Sequence, residues 1–146
     1  ALALDNRGKL YSGSNDNTIR VWSTSEHTHI RTLTGHTHCV VALAVGVDGT
    51  LFSGSWDKTI KVWSGTDGTL LQTLHGHSGY VYALAIAPDG GLLSGGANGM
   101  RVWHPQQGGE CQVVEKGGTS VNSIAVGTCG RVYSSCGSKV LLWNYK

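Results

Sequence analysis

Tryptophan recurs along this chain at a nearly constant interval, and this period constrains the fold more than any other feature. Trp22, Trp63, Trp103 and Trp143 follow one another after 41, 40 and 40 positions. Each lies at the end of a short apolar run, as in Ile60–Trp63. A period near 40 residues is typical of architectures in which one supersecondary unit is repeated and stacked.

Further segments recur in step with the tryptophans, which gives four short strands per repeat. A strand precedes each tryptophan strand, at residues 10–14, 51–55, 92–96 and 132–136. Another strand lies upstream of that one, at residues 40–45, 81–86 and 121–126. A further strand follows the tryptophan strand, at residues 29–33, 70–74 and, weakly, 111–115. Turn pairs such as Asp48-Gly49 and Asp89-Gly90 separate the strands. No window shows the 3.6-residue period of a helix. The pattern therefore predicts an all-β propeller of four-stranded antiparallel blades.

About four blades are present, and the first and last are expected to be incomplete. We place them at about residues 1–35, 36–76, 77–116 and 117–146, with the last lacking its fourth strand, in one propeller segment over 1–146. Exposed terminal blades would leave open strand edges. We therefore expect a part of a longer protein, whose ring is closed by its own remaining blades or by a second copy in an eight-bladed ring.

Composition and charge narrow the classes of partner. Apolar residues make up 40% of the chain and charged residues 14%, which argues against disorder. The eleven Lys and Arg residues form no basic cluster, and no apolar run approaches the length of a membrane span, so neither nucleic acid nor a membrane is an expected partner. Cys39, Cys111, Cys129 and Cys136 form no C-x-x-C pair. They favour buried free thiols in the cytoplasm or another reducing compartment over a zinc site or a disulfide framework.

These motifs together resemble the WD-repeat family along essentially the whole chain. The family's Gly-His pair occurs at Gly35-His36 and Gly76-His77, its turn aspartate at Asp16 and Asp57, and its strand tryptophan in every blade. The strand sequences are also similar to propellers attached to zinc-finger or RING-type ubiquitin ligases. The resemblance implies a non-catalytic scaffold or adaptor, as in ubiquitin-ligase receptors, cytoskeletal and ciliary assembly factors and signalling adaptors.

The resemblance also implies a structural hydrogen-bond chain in the second blade. It would join Asp57, His36, either Ser53 or Ser55, and Trp63. A buried tryptophan has one N–H that needs a partner, and a serine can accept that proton and donate onward to histidine. Histidine can donate in turn to a carboxylate, which fixes its tautomer.

Blades 3 and 4 depart from that pattern. Blade 3 keeps His77 and Trp103 but has no matching aspartate, and its shorter turn carries Asn98-Gly99, a signal for a two-residue hairpin. Blade 4 has Lys116-Gly117 where Gly-His is expected.

Partner-binding positions are carried over from the family to the face that holds the loops between blades. They are Asn15 and Trp56 before the turn aspartate, Cys39, Tyr80 and Ser120 before the innermost strand, and Val41, Tyr82 and Asn122 two residues later. Trp56, Tyr80 and Tyr82 are expected to lie beside each other. Trp56 is the only tryptophan outside the repeating position, so packing in the blade core does not account for it. Two explanations stay open: Trp56 binds a partner, or it merely covers a turn.

The sequence argues against three other functions. A His–Asp–Ser set invites a catalytic interpretation, but residues in a structural repeat are expected to be internal, so we predict no enzyme. A small-ligand or carbohydrate-binding propeller would repeat its aromatic pocket in each blade, but Trp56, Tyr80 and Tyr82 are not repeated in this way. A metal site drawn from His36, His38, His75 and His77 lacks a Cys or carboxylate at ligand spacing, so neither a metal nor a cofactor is predicted.

Overall fold

A computed structural model describes residues 1–105, 110–114 and 119–144 of the chain. These residues form fifteen β-strands in four antiparallel sheets, each with its strands in chain order. The described part contains no α-helix. It accordingly contains no helix with the length and apolar character needed to span a membrane.

The strands follow the sequence repeat, and each sheet is called a blade from here on. Blade 1 consists of β1 Leu2–Leu4, β2 Lys9–Gly13, β3 Ile19–Ser23 and β4 His29–Leu33. Blade 2 consists of β5 Val40–Val45, β6 Leu51–Ser55, β7 Ile60–Trp63 and β8 Leu70–Leu74. Blade 3 consists of β9 Val81–Ile86, β10 Leu92–Gly96, β11 Gly99–His104 and β12 Glu110–Val113. Blade 4 consists, in the described residues, of β13 Val121–Val126, β14 Arg131–Cys136 and β15 Lys139–Asn144. The predicted fold class is confirmed.

Burial along the strands shows which blades are covered on both faces. In β5, Val40, Ala42 and Ala44 are buried and alternate with half-buried residues, as a strand with one well-packed face does. In contrast, β6 and β7 are buried at every position. This follows from the position of blade 2, because its neighbours cover both faces.

Successive blades share hydrophobic cores. Trp63 of blade 2 packs with Tyr11, Ile19 and Val21 of blade 1, and Trp103 packs in the same way against blade 2. Glycine allows the backbones to approach this closely. A Cβ at Gly54 would lie 2.7 Å from Cγ1 of Val81, and one at Gly95 would lie 2.5 Å from Cγ1 of Val121. These glycines therefore set the spacing between blades.

The four blades form an arc that is not closed within the described residues. Its innermost strands border a shared cavity of about 240 Å³, the start of a central channel. At one end of the arc Leu2 and Leu4 are exposed, and at the other end Val140 and Leu142 are exposed. The matching positions of the inner blades are covered by a neighbour, so both ends have an apolar sheet face.

The turn of blade 3 differs from the sequence prediction. Gly96 pairs with Gly99, so the two turn residues are Ala97 and Asn98, and not Asn98 and Gly99. Gly99 is the first residue of β11 and has a φ of 96°, in the region that favours glycine. The Asn-Gly signal located the hairpin correctly but shifted its centre by one residue.

Candidate functional site

Blade 2 contains a complete hydrogen-bond chain between four side chains. The Trp63 Nε1–H donates to Ser53 Oγ over 2.8 Å, and Ser53 Oγ lies 2.7 Å from His36 Nε2. His36 Nδ1 lies 2.6 Å from Asp57 Oδ2. Tryptophan can only donate and a carboxylate can only accept, so the neutral His36 carries its proton on Nδ1 and Ser53 donates to Nε2.

Ser53, and not Ser55, is the link between the tryptophan and the histidine. Trp63 pairs across the sheet with Leu51, which makes Ser53 its diagonal neighbour and leaves Ser55 beyond reach. The Ser55 hydroxyl instead donates to the His38 carbonyl over 3.0 Å and accepts the Asp57 amide over 3.0 Å. Ser55 therefore fixes the turn and does not belong to the chain of side chains.

The Ser53–His36–Asp57 geometry resembles a hydrolytic triad, but burial makes it structural. Ser53 has no solvent-exposed surface and accepts the indole proton of Trp63. A nucleophile must reach a substrate, so a fully enclosed hydroxyl cannot serve as one. Burial also lowers the pKa of His36, despite the neighbouring carboxylate, and this keeps the ring neutral.

Blade 3 holds the same tryptophan, serine and histidine, but the two hydrogen bonds of its histidine run in the opposite direction. Trp103 Nε1 donates to Ser94 Oγ over 2.7 Å, and His77 Nε2 lies 2.7 Å from the same oxygen. At Nδ1 the partner is Arg101 Nη1, at 3.1 Å, where His36 has a carboxylate. Guanidinium can only donate, so His77 accepts at Nδ1 and donates from Nε2 to Ser94. Burial, and then the Arg101 charge, lower the pKa of His77 to about 4.

In the described residues, blades 1 and 4 keep only the hydrogen bond between tryptophan and serine. Trp22 Nε1 donates to Ser12 Oγ, and Trp143 Nε1 donates to Ser134 Oγ, both over 2.9 Å. The described residues therefore hold a tryptophan–serine bond in four blades, a histidine in two and an aspartate in one. The polar network is strongest in blade 2.

Four aromatic side chains meet on the face formed by the loops between blades, and we call them the aromatic patch: His38, Trp56, Tyr80 and Tyr82. The Trp56 and Tyr80 rings are stacked, with centroids 5.3 Å apart and planes inclined by 19°. Tyr82 meets Tyr80 edge-on at 6.3 Å, and His38 lies 5.6 Å from Trp56 and 6.5 Å from Tyr80. The structure brings together the three rings that the sequence singled out.

The patch is exposed and rests on a rigid turn. Trp56 is 36% exposed and Tyr80 is 40% exposed. Asp57 accepts hydrogen bonds from the backbone and hydroxyl of Thr59 and from the backbone of Thr37. The Trp56 amide donates to the carbonyl of Cys39 over 3.1 Å. The buried network of blade 2 therefore holds the turn that presents Trp56 to solvent.

His38 was not among the predicted binding residues, although the sequence contained a signal for it. It follows His36 by two residues in the loop that leads to β5. The sequence pattern indicated His38 only as a candidate metal ligand. In the described residues no group of three or more His, Cys, Asp or Glu side chains lies close enough to hold a metal ion.

The other predicted binding residues lie around the patch and the channel. Asn15 and Cys39 are neighbours, because the Cys39 thiol lies 3.8 Å from the Asn15 carbonyl oxygen. Val41, Tyr82 and Asn122 line the central cavity. Ser120 is half-buried immediately before β13. The predicted set thus divides into a loop face and a channel wall that meet at Tyr82.

A separate groove of about 290 Å³ lies between blades 2 and 3, at the end of the strands away from the patch. The exposed side chains of Val47 and Leu71 border it, with Phe52 and Pro105. These residues form a second exposed apolar surface, distant from the aromatic patch, at which control substitutions can be made.

Comparison with protein families agrees with this geometry. The model for "WD domain, G-beta repeat" matches residues 1–23, 27–64 and 68–104. The chain belongs to the WD-repeat family. WD repeats generally mediate protein–protein interaction, and their propellers are typically non-catalytic. The resemblance inferred from the sequence is confirmed, and residues 105–146 lie outside the three matches. No curated protein matches the chain.

Proposed function

We propose that this WD-repeat segment is a non-catalytic scaffold or adaptor that binds partner proteins or peptides through the aromatic patch. The observation that carries the proposal is the stacked pair of Trp56 and Tyr80, two large rings left open to solvent on a rigid turn. The repeat does not need Trp56 for its core, since each blade already has its own buried or half-buried tryptophan.

The physical argument concerns rigidity and area. Tryptophan and tyrosine present a large contact surface with few rotatable bonds, and both are enriched among the residues that dominate binding energy. Stacking and the hydrogen-bonded turn hold the rings in place before a partner arrives, which lowers the entropy lost on binding. The free thiols of Cys39, Cys129 and Cys136 support our further proposal that the protein works in a reducing compartment such as the cytoplasm.

The test is a selection of binders from a displayed random-peptide library, followed by titration against variants. Trp56→Ala and Tyr80→Ala should each weaken binding of the selected peptides by about 30-fold, the loss expected for a dominant interface residue. Each should change the free energy of unfolding by less than about 1 kcal/mol, because the removed ring is partly exposed.

The matched controls are Val47→Ala and Leu71→Ala, which also shorten exposed apolar side chains of blade 2, but at the distant groove. They should leave the affinity unchanged. Peptides that bind equally well to Trp56→Ala and to the wild type would refute the proposal. A glycan-array signal that requires Trp56, with no peptide selected, would replace it with carbohydrate binding.

A further inference from the structure

The strand that carries each repeating tryptophan also carries a basic residue two positions before it in blades 1, 2 and 3. In blade 1, Arg20 Nη2 lies 2.7 Å from Asp16 Oδ2. In blade 2, Lys61 Nζ donates to Thr73 Oγ1 over 3.0 Å, across the register pair of β7 and β8. In these two blades the cation has an oxygen partner from a turn or from the neighbouring strand.

Blade 3 has lost both kinds of partner. The residue across from Arg101 is Val113, where blade 2 has Thr73, and the two-residue turn supplies no aspartate. Arg101 is only 9% exposed, and its Nε has no hydrogen-bond partner in the part of the chain that the structure describes. The one side-chain hydrogen bond of Arg101 among the described residues goes to the neutral His77 ring. No described carboxylate pairs with the Arg101 guanidinium, and a buried cation without an anion is costly.

The surroundings of Arg101 have the donors that an anion would need. In blade 2 the Thr37 amide donates to Asp57, and the corresponding Ser78 amide has no acceptor among the described residues. Gly96 occupies the place of Ser55, and a Cβ there would lie 2.9 Å from His77 Nδ1. Ser78 and Asn98 are exposed to solvent, and the Asn98 side-chain amide donates a hydrogen bond to Ser78 Oγ, which an incoming carboxylate would displace.

The position of this site relates it to the aromatic patch. Ser78 and Tyr80 belong to one loop, and a Cβ at Gly96 would lie 2.6 Å from the Tyr80 carbonyl oxygen. A segment that packs on Trp56 and Tyr80 therefore passes beside the loop that covers Arg101.

From these contacts we infer that Arg101 and the Ser78 amide receive a carboxylate from the bound partner. The partner is then an acidic peptide segment, with an Asp or Glu beside the residue that packs on the aromatic patch. The inference rests on the proposed function, because it names the chemistry of the partner at the same face. The incoming carboxylate accepts from the Ser78 amide, as Asp57 accepts from the Thr37 amide in blade 2, and pairs with the guanidinium by charge-assisted hydrogen bonds.

The first experiment needs no partner and uses sodium acetate as the probe, with sodium chloride at matched ionic strength. Nuclear magnetic resonance follows the Arg101 Nε–H and the His77 ring nitrogens in the whole chain. Acetate should cause a saturable shift at both residues, and chloride should not. Absence of a saturable shift, or a stronger response to inorganic phosphate than to acetate, would overturn the carboxylate assignment.

A graft supplies the missing charge from within the chain. The turn Ala97-Asn98 is replaced by the three residues Ala-Asp-Lys, which reproduces the length of the blade 2 turn and its aspartate. The matched control has the three residues Ala-Asn-Lys, with equal length and no carboxylate. The aspartate graft should abolish the acetate response, and the asparagine graft should keep it. An unchanged response in the aspartate graft would count against the site.

The selected peptides test the link to the proposed function. Changing their acidic residue to the corresponding amide should weaken binding to the wild type by about 30-fold, as when one member of a desolvated charge pair is removed. The same change should have little effect on binding to Arg101→Met. Binding that requires Trp56 but is indifferent to the acidic residue would refute this inference and leave the proposed function intact.

Discussion

The sharpest prediction concerns Ser53, because one hydroxyl serves two buried groups. Ser53→Ala removes the acceptor of the Trp63 indole N–H, at 2.8 Å, and the donor to His36 Nε2, at 2.7 Å. The hydroxyl is fully buried and both partners are nearly so, which keeps water from replacing the lost bonds. Each buried polar group left without a partner costs about 1–3 kcal/mol, so for two such groups we expect a loss of about 2–6 kcal/mol in the free energy of unfolding.

Blade 1 supplies the matched control in the same protein. Ser12 also accepts an indole proton, from Trp22, but Trp22 is only half-buried and no described histidine forms a hydrogen bond with Ser12. Water can reach that indole, so Ser12→Ala should cost less than about 1 kcal/mol.

Urea unfolding followed by circular dichroism measures both variants against the wild type. Equal losses for Ser53→Ala and Ser12→Ala would refute the reasoning, since they would show that the buried histidine link adds nothing. A loss below about 1 kcal/mol for Ser53→Ala would refute it as well.

Two further predictions concern pH and packing. The pKa of His77 falls from 6.5 to about 4 on folding, so between these values the unfolded state binds the proton. The contribution of His77 to the free energy of unfolding should therefore be fully present above pH 6.5 and should fall by about 3 kcal/mol towards pH 4. Urea titrations at several pH values should show that the free energy of unfolding changes less steeply with pH in His77→Gln than in the wild type. An equal pH dependence in the two proteins would contradict the assignment. Gly95→Ala should cost about 1–3 kcal/mol in thermal or urea unfolding, because its Cβ would overlap Val121. Gly127→Ala meets only ordinary contacts and should be nearly neutral; equal costs would show that blade spacing is not set at Gly95.

Much of the fold could be predicted because each repeat has the same short sequence motifs at the same spacing. The tryptophan period located the strands, and the turn pairs separated them. The predicted position of the blade 3 turn was wrong by one residue, because the pairing of Gly96 with Gly99 depends on strand register and not on the Asn-Gly pair alone.

The candidate site was predicted less completely. Trp56, Tyr80 and Tyr82 were expected to be neighbours from their equivalent positions in adjacent blades, and the structure brings the rings together. His38 was missed as a member of the patch, because its contact with Trp56 depends on how the loop before β5 folds against the turn after β6.

The sequence by itself determined the four-strand repeat, the tryptophan in each blade and the shortage of aspartate in blade 3. Only the tertiary structure decided which serine meets Trp63, because a diagonal neighbour follows from register. It also decided that His77 reverses its hydrogen bonds and that Arg101 Nε has no hydrogen-bond partner among the described residues. The sequence shows that blade 3 has no turn aspartate. Whether a neighbouring side chain is then left without a hydrogen-bond partner depends on all the groups that pack around that side chain.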